Sequence, residues 1–418
     1  MVLSNNDVVV SLDIGTSKVH AIIGEVSNGA IHIVGVGSSD SEGIRKGAIV
    51  DIDQTVQSIR NAIDHAERMV GIQISDIYVG ISGSHIGLLS SRGVVAVSND
   101  DREIGEEDIT RVLEAAKVIA LPPEREIVSV VPKQYVVDGL DGIHDPRGMI
   151  GVRLEVEATI ITGAKTAIHN LRRVVEKAGL HSPQLVLMSL ASGHLTLSKD
   201  EKSIGTVLVD IGAGSTTIAV FEEGTIAATS TLPIGGDHIT NDISVGLHTH
   251  MEHAERVKLK FGCAAIADSA ADQVFKVPRI GSNVEKQYSQ EDLAHIIEHR
   301  VQEIFQLILN EVHRLGYGSA PGGYVLTGGA MSMPGMLAVA QTELASSVRI
   351  ASPDFIGVRD PSFTSGVGII HYVTKFARSR GTVSAAKRST SKKQSSHSQS
   401  SPTGRWLEKV KNWFNEFI

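Results

Sequence analysis

Cysteine is nearly absent from this chain of 418 residues, since Cys263 is the only one. One cysteine permits no internal disulfide, and such scarcity is typical of a protein in a reducing compartment. The chain also has no run of about 20 apolar residues, the length that a membrane-spanning helix needs. No signal-peptide pattern precedes the first apolar segment at residues 8–10. We therefore expect a globular cytoplasmic protein.

Aromatic residues are also scarce, at 4% of the chain, and both tryptophans, Trp406 and Trp413, lie near its C-terminal end. The net charge is −8, although basic residues predominate after residue 375. An acidic body disfavours nucleic acid as the main partner, whereas a basic tail favours an anionic surface. Residues 381–404 are rich in serine and contain basic but no acidic residues, which predicts a disordered linker.

The most informative stretch is a glycine turn between two β-branched, apolar segments. Asp210 ends the first segment, and Gly212 and Gly214 lie in the turn. Glycine lets backbone N–H groups approach a ligand closely, and converging N–H groups form an anion-binding concavity. The hydroxyls of Ser215 and Thr216 add donors, and Asp210 is suited to holding a divalent cation through water. This pattern indicates a site for phosphate and a metal ion.

A second copy of this turn occurs near the start of the chain. Two apolar, β-branched segments again flank the sequence Asp13-Ile14-Gly15-Thr16-Ser17. One such turn is weak evidence, because glycine turns in hairpins are common. Two copies far apart in the chain predict two similar halves, each of which offers a phosphate-binding turn to a shared cleft.

Two further features suit a nucleotide. Gly328 and Gly329 follow an apolar strand. Without side chains, the backbone there lets a flat ring lie against it. An ordinary strand-to-helix turn has the same pattern. Glu255 and Lys258 are three residues apart and share one face of a predicted helix. They could reach ribose and base, or pair with each other in solvent.

In this order, the two turns, the Glu-x-x-Lys helix and the Gly-Gly pair resemble the actin, hexokinase and heat-shock-chaperone superfamily. Within it the chain closely resembles the FtsA family of actin-like bacterial cell-division proteins, including residues 326–330 and 365–372. The resemblance implies an α/β fold: a duplicated actin-like (ribonuclease-H-like) ATPase fold with an inserted α+β module and a C-terminal amphipathic helix. It also implies four subdomains around an ATP cleft.

The resemblance implies domain boundaries as well. They are subdomain 1A (1–83, 164–199 and 366–380), inserted subdomain 1C (84–163), subdomain 2A (200–236 and 323–365), subdomain 2B (237–322), the linker (381–404) and the membrane-targeting helix (405–418). Within the inserted module, the residue pattern itself predicts strands at 93–97, 126–137 and 151–162, a helix near 106–119 and a loop at 138–148.

Site residues follow from the resemblance by position. Phosphates would be held by Gly15, Thr16, Ser17, Gly212, Ala213, Gly214, Ser215 and Thr216. Hydrated Mg²⁺ would be held by Asp13 and Asp210, and adenosine by Glu255, Lys258, Gly328 and Gly329. Lys18, Gly236 and Ala330 complete the predicted nucleotide-binding set.

In one respect the chain departs from hydrolytic relatives. Ahead of the helix that begins near residue 189, those relatives carry a Gln or Glu that orients the attacking water, whereas this chain has Leu187, Met188 and Ser189. Phosphoryl transfer needs such a positioned group, and the nearest amide is Gln184. We therefore predict weak or absent ATP hydrolysis and assign no catalytic residue.

Residues 405–418 predict an amphipathic helix. At 100° per residue its apolar side chains fall within an arc of about 140°. They are Trp406, Leu407, Val410, Trp413, Phe414, Phe417 and Ile418. Tryptophan and basic flanks are typical of a helix that lies in a membrane surface, although such a helix could also dock on the body or on another protein. The family uses such a tail, so we expect membrane binding.

The resemblance implies protein partners too. The C-terminal peptide of FtsZ would bind subdomain 2B, where Arg300 matches a basic position; a solvated arginine is the alternative. Other division proteins would contact residues 84–163, and copies of the chain would form filaments on the cytoplasmic face of the membrane at the septum. Two alternatives stay open: a pilus-assembly-type adaptor and a small-molecule kinase, although we identify no catalytic carboxylate for a kinase.

Overall fold

The computed structural model describes residues 7–27, 29–281, 285–318 and 320–379. The predicted linker at 381–404 and the predicted membrane helix at 405–418 lie outside these residues. Among the helices within them, none is both long and apolar enough to cross a membrane.

The first half is built on a sheet and begins with a three-stranded antiparallel segment. In chain order its first elements are β1 (Asp7–Ile14), β2 (Lys18–Ser27), β3 (Ala30–Asp40), β4 (Ile44–Arg45), β5 (Ala48–Ile49), α1 (Ile52–Val70) and β6 (Asp76–Ile81). Helix α1 is capped by Asp51, whose side chain accepts a hydrogen bond from Gln54 N, and it ends at Gly71 in the left-handed conformation. The apolar face of α1 packs on the sheet and buries Ile59 completely.

An antiparallel module interrupts this half. Its elements are β7 (Gly87–Ala96), α2 (Glu106–Ala116), β8 (Arg125–Val137), β9 (Leu140–Ile143) and β10 (Arg153–Ala164). The strand order is β7-β10-β8-β9, and α2 packs on β7 and β10. Gly93 allows this close packing, because a methyl group there would lie 2.2 Å from Val112 O.

Two predictions for this module were wrong. Strand β7 begins at Gly87 rather than at residue 93, because its small residues conceal a strand that pairs with β10 along its whole length. The predicted loop at 138–148 contains β9, which pairs with β8 through Tyr135 and Val137. Local propensity was weak at both places, and cross-strand pairing decided the outcome.

Four elements complete the first half: α3 (Lys165–Lys177), β11 (His181–Leu187), α4 (Met188–Thr196) and α5 (Lys199–Ile204). The strand order of its main sheet is β11-β6-β1-β2-β3. Strand β1 pairs in parallel with β6, which pairs in parallel with β11, while β1, β2 and β3 are antiparallel neighbours.

The second half has its own sheet. Its elements are β12 (Thr206–Ile211), β13 (Thr216–Glu222), β14 (Thr225–Leu232), α6 (Gly236–Leu247), α7 (Met251–Phe261), β15 (Val274–Pro278), β16 (Glu285–Ser289), α8 (Gln290–Arg314), β17 (Tyr324–Thr327), α9 (Met336–Leu344) and β18 (Val348–Ile350). Helices α6 to α9 share one apolar core with this sheet. The final helix, α10 (Thr364–Ser379), returns to pack on α4 and β1 of the first half.

The two main sheets repeat one topology. In the second sheet the order is β14-β13-β12-β17-β18, so each strand has a counterpart at the same place in the first sheet. In both sheets, three antiparallel strands come first in the chain. Two later strands then add in parallel, beside the first of the three. The prediction of two similar halves is confirmed.

Close packing joins these halves at α4. A methyl group on Gly193 would lie 2.1 Å from Phe221 Cζ, so only glycine lets α4 approach β13 this closely. Leu187, Leu190 and Phe221 belong to one buried cluster that also includes residues of β12 and β17. A shared core therefore holds the two sheets beside the cleft described next.

Candidate functional site

A cleft with a volume of about 400 Å³ lies between the two halves. It opens where β1 and β12 end, and the turns that follow these strands line it. Helix α7, the backbone at residues 328–330 and the start of α10 form the remaining walls. The sheet duplication thus brings the two predicted glycine turns to one cavity.

These two turns are closed by equivalent backbone hydrogen bonds. In the first, Gly15 N donates a hydrogen bond to Lys18 O at 3.0 Å. In the second, Gly212 N donates to Ser215 O, also at 3.0 Å. The equivalence of the two halves therefore extends to the hydrogen bonds of the turns.

The turns are also close to each other. Gly47, between β4 and β5, donates its backbone N–H to Thr16 Oγ1 at 3.2 Å. A methyl group on Gly214 would lie 2.6 Å from Thr16 Oγ1 and 3.0 Å from Lys46 N. Since real Cβ atoms do not approach other atoms so closely, glycine at position 214 is what allows the second turn to meet the first.

Two carboxylates lie beneath the turns. Asp13 is buried and Asp210 is half-buried. Burial, and then the charge of Asp210, raises the pKa of Asp13 to about 7. Burial also raises the pKa of Asp210, and a hydrogen bond that Ser365 Oγ donates to Asp210 Oδ2 at 2.9 Å opposes that rise. Two carboxylates that disfavour each other's charge are suited to a cation between them.

This pair fits a hydrated divalent ion better than a site made only of protein ligands. The part of the chain that the structure describes contains no cluster of three or more His, Cys, Asp or Glu side chains that could hold a metal. Magnesium commonly keeps several waters and is bound through one or two carboxylates together with phosphate oxygens. Asp13 and Asp210 match that donor set.

Lys258 and Glu255 do pair with each other, but in the wall of the cleft. Lys258 Nζ lies 2.6 Å from Glu255 Oε2, and it donates hydrogen bonds to Thr240 Oγ1 at 2.8 Å and to Gly236 O at 3.2 Å. Thr240 also hydrogen-bonds to Glu255. Only 9% of Lys258 is exposed, whereas 37% of the Glu255 side chain is. The network therefore ties α7 to the start of α6 through the buried ammonium, and only its carboxylate end reaches solvent.

The Gly-Gly segment lies against one of the carboxylates. Gly328 has a φ of +95°, and a methyl group there would lie 2.3 Å from Asp210 Oδ1. Both the left-handed backbone and the missing side chain therefore require glycine. As a result, backbone atoms rather than side chains form this wall of the cleft.

With one exception, the predicted nucleotide and metal residues all line this cleft. They are Asp13, Gly15, Thr16, Ser17, Lys18, Asp210, Gly212, Ala213, Gly214, Ser215, Gly236, Glu255, Lys258, Gly328, Gly329 and Ala330. Thr216 is the exception, because it is fully buried and its hydroxyl donates to Ile234 O at 2.8 Å. The predicted phosphate contact of the Thr216 hydroxyl is therefore wrong, and the next residue, Thr217, lines the cleft.

Sequence reasoning missed most of the serines in the cleft. They are Ser82, Ser189, Ser192, Ser332, Ser362 and Ser365. Single serines carry no local signal, but Ser82 follows β6, the parallel neighbour of β1. Ligands in α/β sheets bind at the carboxyl ends of such strands, so the location of Ser82 in the cleft could have been predicted.

Other residues stand where hydrolytic relatives carry the Gln or Glu that orients the attacking water. Met188 and Ser189 both line the cleft, and the Ser189 hydroxyl is buried without a hydrogen-bond partner among the described residues. Gln184 is exposed on β11 and is not part of the cleft wall. The described residues that line the cleft include no glutamine or asparagine.

Arg300 lies outside the cleft, on α8. Its guanidinium donates to both carboxylate oxygens of Asp242, through Nε at 2.5 Å and through Nη2 at 3.0 Å, and it also pairs with Glu303. The side chain is 24% exposed. Arg300 is therefore held by a bidentate pair between α8 and α6, which differs from the solvated arginine considered above.

Comparison with known proteins identifies the family. A family model described as cell division protein FtsA matches residues 207–368, and a model of the SHS2 domain inserted in FTSA matches residues 83–162. The cell division protein FtsA of Bacillus subtilis (strain 168) is 50% identical over 379 residues, which cover 91% of this chain and 86% of that protein. The chain belongs to the FtsA family. The SHS2 match also identifies the inserted module.

More distant members of the FtsA family match nearly the whole chain. FtsA of Pseudomonas aeruginosa PAO1 is 39% identical over 418 residues, with 98% of each chain covered. FtsA of Escherichia coli K12 is 33% identical over 427 residues, with 99% of each chain covered.

Solved structures agree with the expected fold. The PilM-PilN type IV pilus biogenesis complex aligns with a TM-score of 0.60 at 16% identity, over 88% of this chain and 98% of the other. MreB5 of Spiroplasma citri bound to ADP aligns with a TM-score of 0.54 at 13% identity, over 89% and 97%. At such identities the likeness concerns the fold alone, and it confirms the actin-like α/β fold.

Proposed function

We propose that this member of the FtsA family binds ATP with Mg²⁺ in the cleft, assembles into filaments and anchors FtsZ to the membrane during division. The pair of equivalent glycine turns at one cavity of about 400 Å³ supports the nucleotide most directly. Clefts of this size hold ligands of roughly nucleotide dimensions. The MreB5 structure with bound ADP supports the same assignment by analogy of fold.

The cleft divides into three regions in this proposal. Backbone N–H groups of the two turns and the hydroxyls of Thr16, Ser17 and Ser215 donate to phosphate oxygens. Asp13 and Asp210 hold hydrated Mg²⁺, which neutralises phosphate charge when bound. The base lies against the bare backbone of residues 328–330, and the Glu255–Lys258 pair is within reach of the ribose and base.

Hydrolysis in this cleft is weak or absent. Efficient phosphoryl transfer to water requires a group that positions the nucleophile. Met188 cannot accept the proton of water well, and the hydroxyl of Ser189 offers one weak contact in place of an amide or carboxylate. The nucleotide therefore acts mainly as a ligand that stabilises the closed cleft.

The segment 405–418 carries the membrane function in this proposal. Seven large apolar side chains, half buried in a membrane, contribute on the order of 5–10 kcal/mol. Ordering the segment costs a comparable amount, at about 1 kcal/mol for each residue. One tail therefore binds weakly and reversibly, whereas a filament that presents many tails binds firmly through effective concentration.

Two kinds of protein partner follow from family membership in this proposal. FtsZ binds subdomain 2B through its C-terminal peptide, at a surface that includes Arg300. Later division proteins contact the module at residues 84–163. Both contacts occur at the cytoplasmic face of the membrane, at the septum, where the tail retains the filament.

Vesicle co-sedimentation tests this function. Full-length protein and a variant that lacks residues 405–418 are spun with vesicles, each with and without ATP and Mg²⁺. We expect pelleting that needs the tail and increases with nucleotide, because assembly raises the number of tails on one surface. Pelleting of the truncated protein equal to that of the full chain would contradict membrane binding by the tail.

The coupling between nucleotide and membrane needs a separate variant. Asp210→Ala removes one proposed Mg²⁺ ligand and leaves the tail intact. If the folded variant stayed on vesicles as firmly as the parent in ATP and Mg²⁺, nucleotide-dependent assembly would not control membrane residence. Circular dichroism of the variant establishes that it is folded.

A further inference from the structure

His20, on β2, lines the nucleotide cleft but belongs to neither glycine turn. It is the antiparallel partner of Asp13, and Lys18 lies two residues before it on the same strand. Directly opposed residues, and alternate residues of one strand, share a face of the sheet. The imidazole of His20 is therefore on the side of the sheet that carries the first carboxylate.

The second half of the molecule has a polar residue at the corresponding position. There Thr217, on β13, is the antiparallel partner of Asp210 and also lines the cleft. Because equivalent hydrogen bonds close the two turns, His20 and Thr217 occupy matching places in the two halves. Each half thus contributes to the cleft one polar side chain from the strand that pairs with its carboxylate.

Two contacts fix the orientation of the His20 ring. Nδ1 lies 2.8 Å from Ser38 Oγ, on β3. The ring centroid is 4.8 Å from that of Phe363, which immediately precedes α10. Only 9% of His20 is exposed. Because the imidazole is held at one nitrogen and on one face, its other nitrogen keeps a fixed direction.

That other nitrogen, Nε2, is the part of the ring that a ligand can reach. It forms no hydrogen bond with the residues that the structure describes, and, unlike Nε2 of His85, it is not sealed from solvent. Since His20 is otherwise buried and lines the cleft, its Nε2 is open to the cavity. Lys18, the neighbouring donor on this face, already pairs with Asp40.

The imidazole of His20 is neutral near pH 7. Burial, and then the charge of Lys18, lowers the pKa of His20 to about 4, although the charge of Asp360 opposes this change. A neutral ring carries one N–H, on either nitrogen, and the hydroxyl of Ser38 can accept a hydrogen bond from Nδ1 or donate one to it. When Ser38 donates, the ring proton is on Nε2, and the ring presents an N–H donor to the cleft.

We propose that His20 is a further phosphate-binding residue, whose Nε2–H donates to a phosphate oxygen of the nucleotide. This rests on the proposed function, which places the nucleotide in the cleft. In that function Asp13 holds hydrated Mg²⁺ beside the phosphates, and His20 is its cross-strand neighbour. The phosphates are therefore the part of the ligand nearest to His20. Hydrogen bonds to an ionised acceptor are short and strong, so loss of this donor should lower the affinity measurably.

Nucleotide binding by variants of the full chain tests this role. His20→Phe keeps an aromatic ring beside Phe363 and removes both nitrogens. We expect its affinity for ATP with Mg²⁺ to fall at least about tenfold, and its affinity for adenosine less than about twofold, in competition calorimetry. His20→Gln, whose amide nitrogen can take the place of Nε2, should recover most of the loss. Ser38→Ala is the matched control: it removes the same internal hydrogen bond, keeps the imidazole, and should bind ATP within about threefold of the parent.

The results separate the role of His20 from the proposed function. If the parent does not bind ATP, the nucleotide site fails and the role of His20 fails with it. If the parent binds and His20→Phe binds equally well, only the role of His20 is wrong. Equal losses for ATP and adenosine, or no recovery in His20→Gln, would mean that His20 merely packs in the cleft wall. A loss that disappeared in EDTA would indicate a contact through magnesium-bound water and would also overturn the direct bond.

Nitrogen NMR gives a measurement that does not depend on how well the variants fold. The full chain is labelled with ¹⁵N-histidine, and the signals of His20 are those that are missing in His20→Gln. We expect saturating ATP with Mg²⁺ to place the ring proton on Nε2 and to shift that signal, whereas adenosine leaves it unchanged. An Nε2 signal that did not respond to saturating ATP would overturn the proposal.

Discussion

Ser365 donates a hydrogen bond to Asp210 and thereby connects the two halves of the molecule. The distance from Ser365 Oγ to Asp210 Oδ2 is 2.9 Å, and Ser192 Oγ lies 3.2 Å from Ser365 Oγ. Ser365 is in the first turn of α10, and Ser192 is in α4. In our proposal, Asp210 therefore links the ligand, through one hydrogen bond, to the helix that precedes the predicted linker and membrane segment.

This contact leads to a prediction about magnesium. Asp210→Asn keeps the size of the side chain but removes the charge that would face the ion. We expect its affinity for ATP in Mg²⁺ to fall at least about tenfold, with little change in EDTA, measured by calorimetry. Ser365→Ala is the matched control, since it removes the hydrogen bond and keeps the carboxylate. An equal loss with and without Mg²⁺ would contradict a role for Asp210 in holding the ion.

The contact between the two turns predicts the effect of a single methyl group. Gly214→Ala would place Cβ 2.6 Å from Thr16 Oγ1, so the turns must separate. We expect ATP affinity to fall at least about tenfold while the fold survives, because the strain is confined to the cleft. Thr16→Ala alone loses one proposed phosphate donor, and it serves as the reference for Gly214→Ala/Thr16→Ala. In that double variant the clashing atoms of Thr16 are gone, so Gly214→Ala should recover part of its loss relative to this reference. No recovery would show that the clash with Lys46 N, or another change, limits binding.

Arg300 needs a test that separates its pairing within the fold from a contact with FtsZ. Arg300→Glu alone puts a third acidic side chain beside Asp242 and Glu303 and would destabilise the region. Arg300→Glu combined with Asp242→Lys restores an ion pair in reversed order. We expect this double variant to bind the FtsZ C-terminal peptide at least about tenfold more weakly by fluorescence anisotropy, with unchanged ATP affinity. Peptide binding equal to that of the parent would remove Arg300 from the proposed surface.

The inserted module contains a carboxylate that predicts its acid stability. Asp108 is 1% exposed and accepts hydrogen bonds from Ser98 N at 3.0 Å, from Ser98 Oγ at 2.9 Å and from Gly105 N at 3.1 Å. Although burial alone would raise it, these bonds and the Arg111 guanidinium lower the pKa of Asp108 from 3.8 to about 2. The folded pKa is below the unfolded one, so the stabilisation is present above pH 4 and is lost between about pH 4 and 2.

Asp108→Asn tests this quantitatively. At neutral pH we expect it to lower the free energy of unfolding by about 2 kcal/mol, since a shift of one pKa unit corresponds to about 1.4 kcal/mol. The difference between parent and variant should shrink as the pH falls from about 4 to 2, in urea unfolding followed by circular dichroism. A difference that did not depend on pH would mean that packing, not charge, makes Asp108 important.

The amino-acid sequence by itself determined the two glycine turns and the duplicated fold. An Asp followed by closely spaced glycines between β-branched segments predicts a hairpin turn. Such a turn can be predicted because its conformation depends on neighbours within a few residues. The likeness of the two halves could be anticipated because the same pattern occurs twice. Cleft residues at the carboxyl ends of parallel strands could also be predicted from the sequence, although the serines among them were not predicted.

Only the tertiary structure decided which side chains share a surface. Thr216 and Thr217 differ by one strand position, so the pairing of β13 turns one into the core and the other toward the cleft. The approach of Gly214 to Thr16 and the hydrogen bond from Ser365 to Asp210 join residues that are far apart in the chain. Local propensity carries no information about such contacts, because they exist only after the two sheets and α10 have packed together.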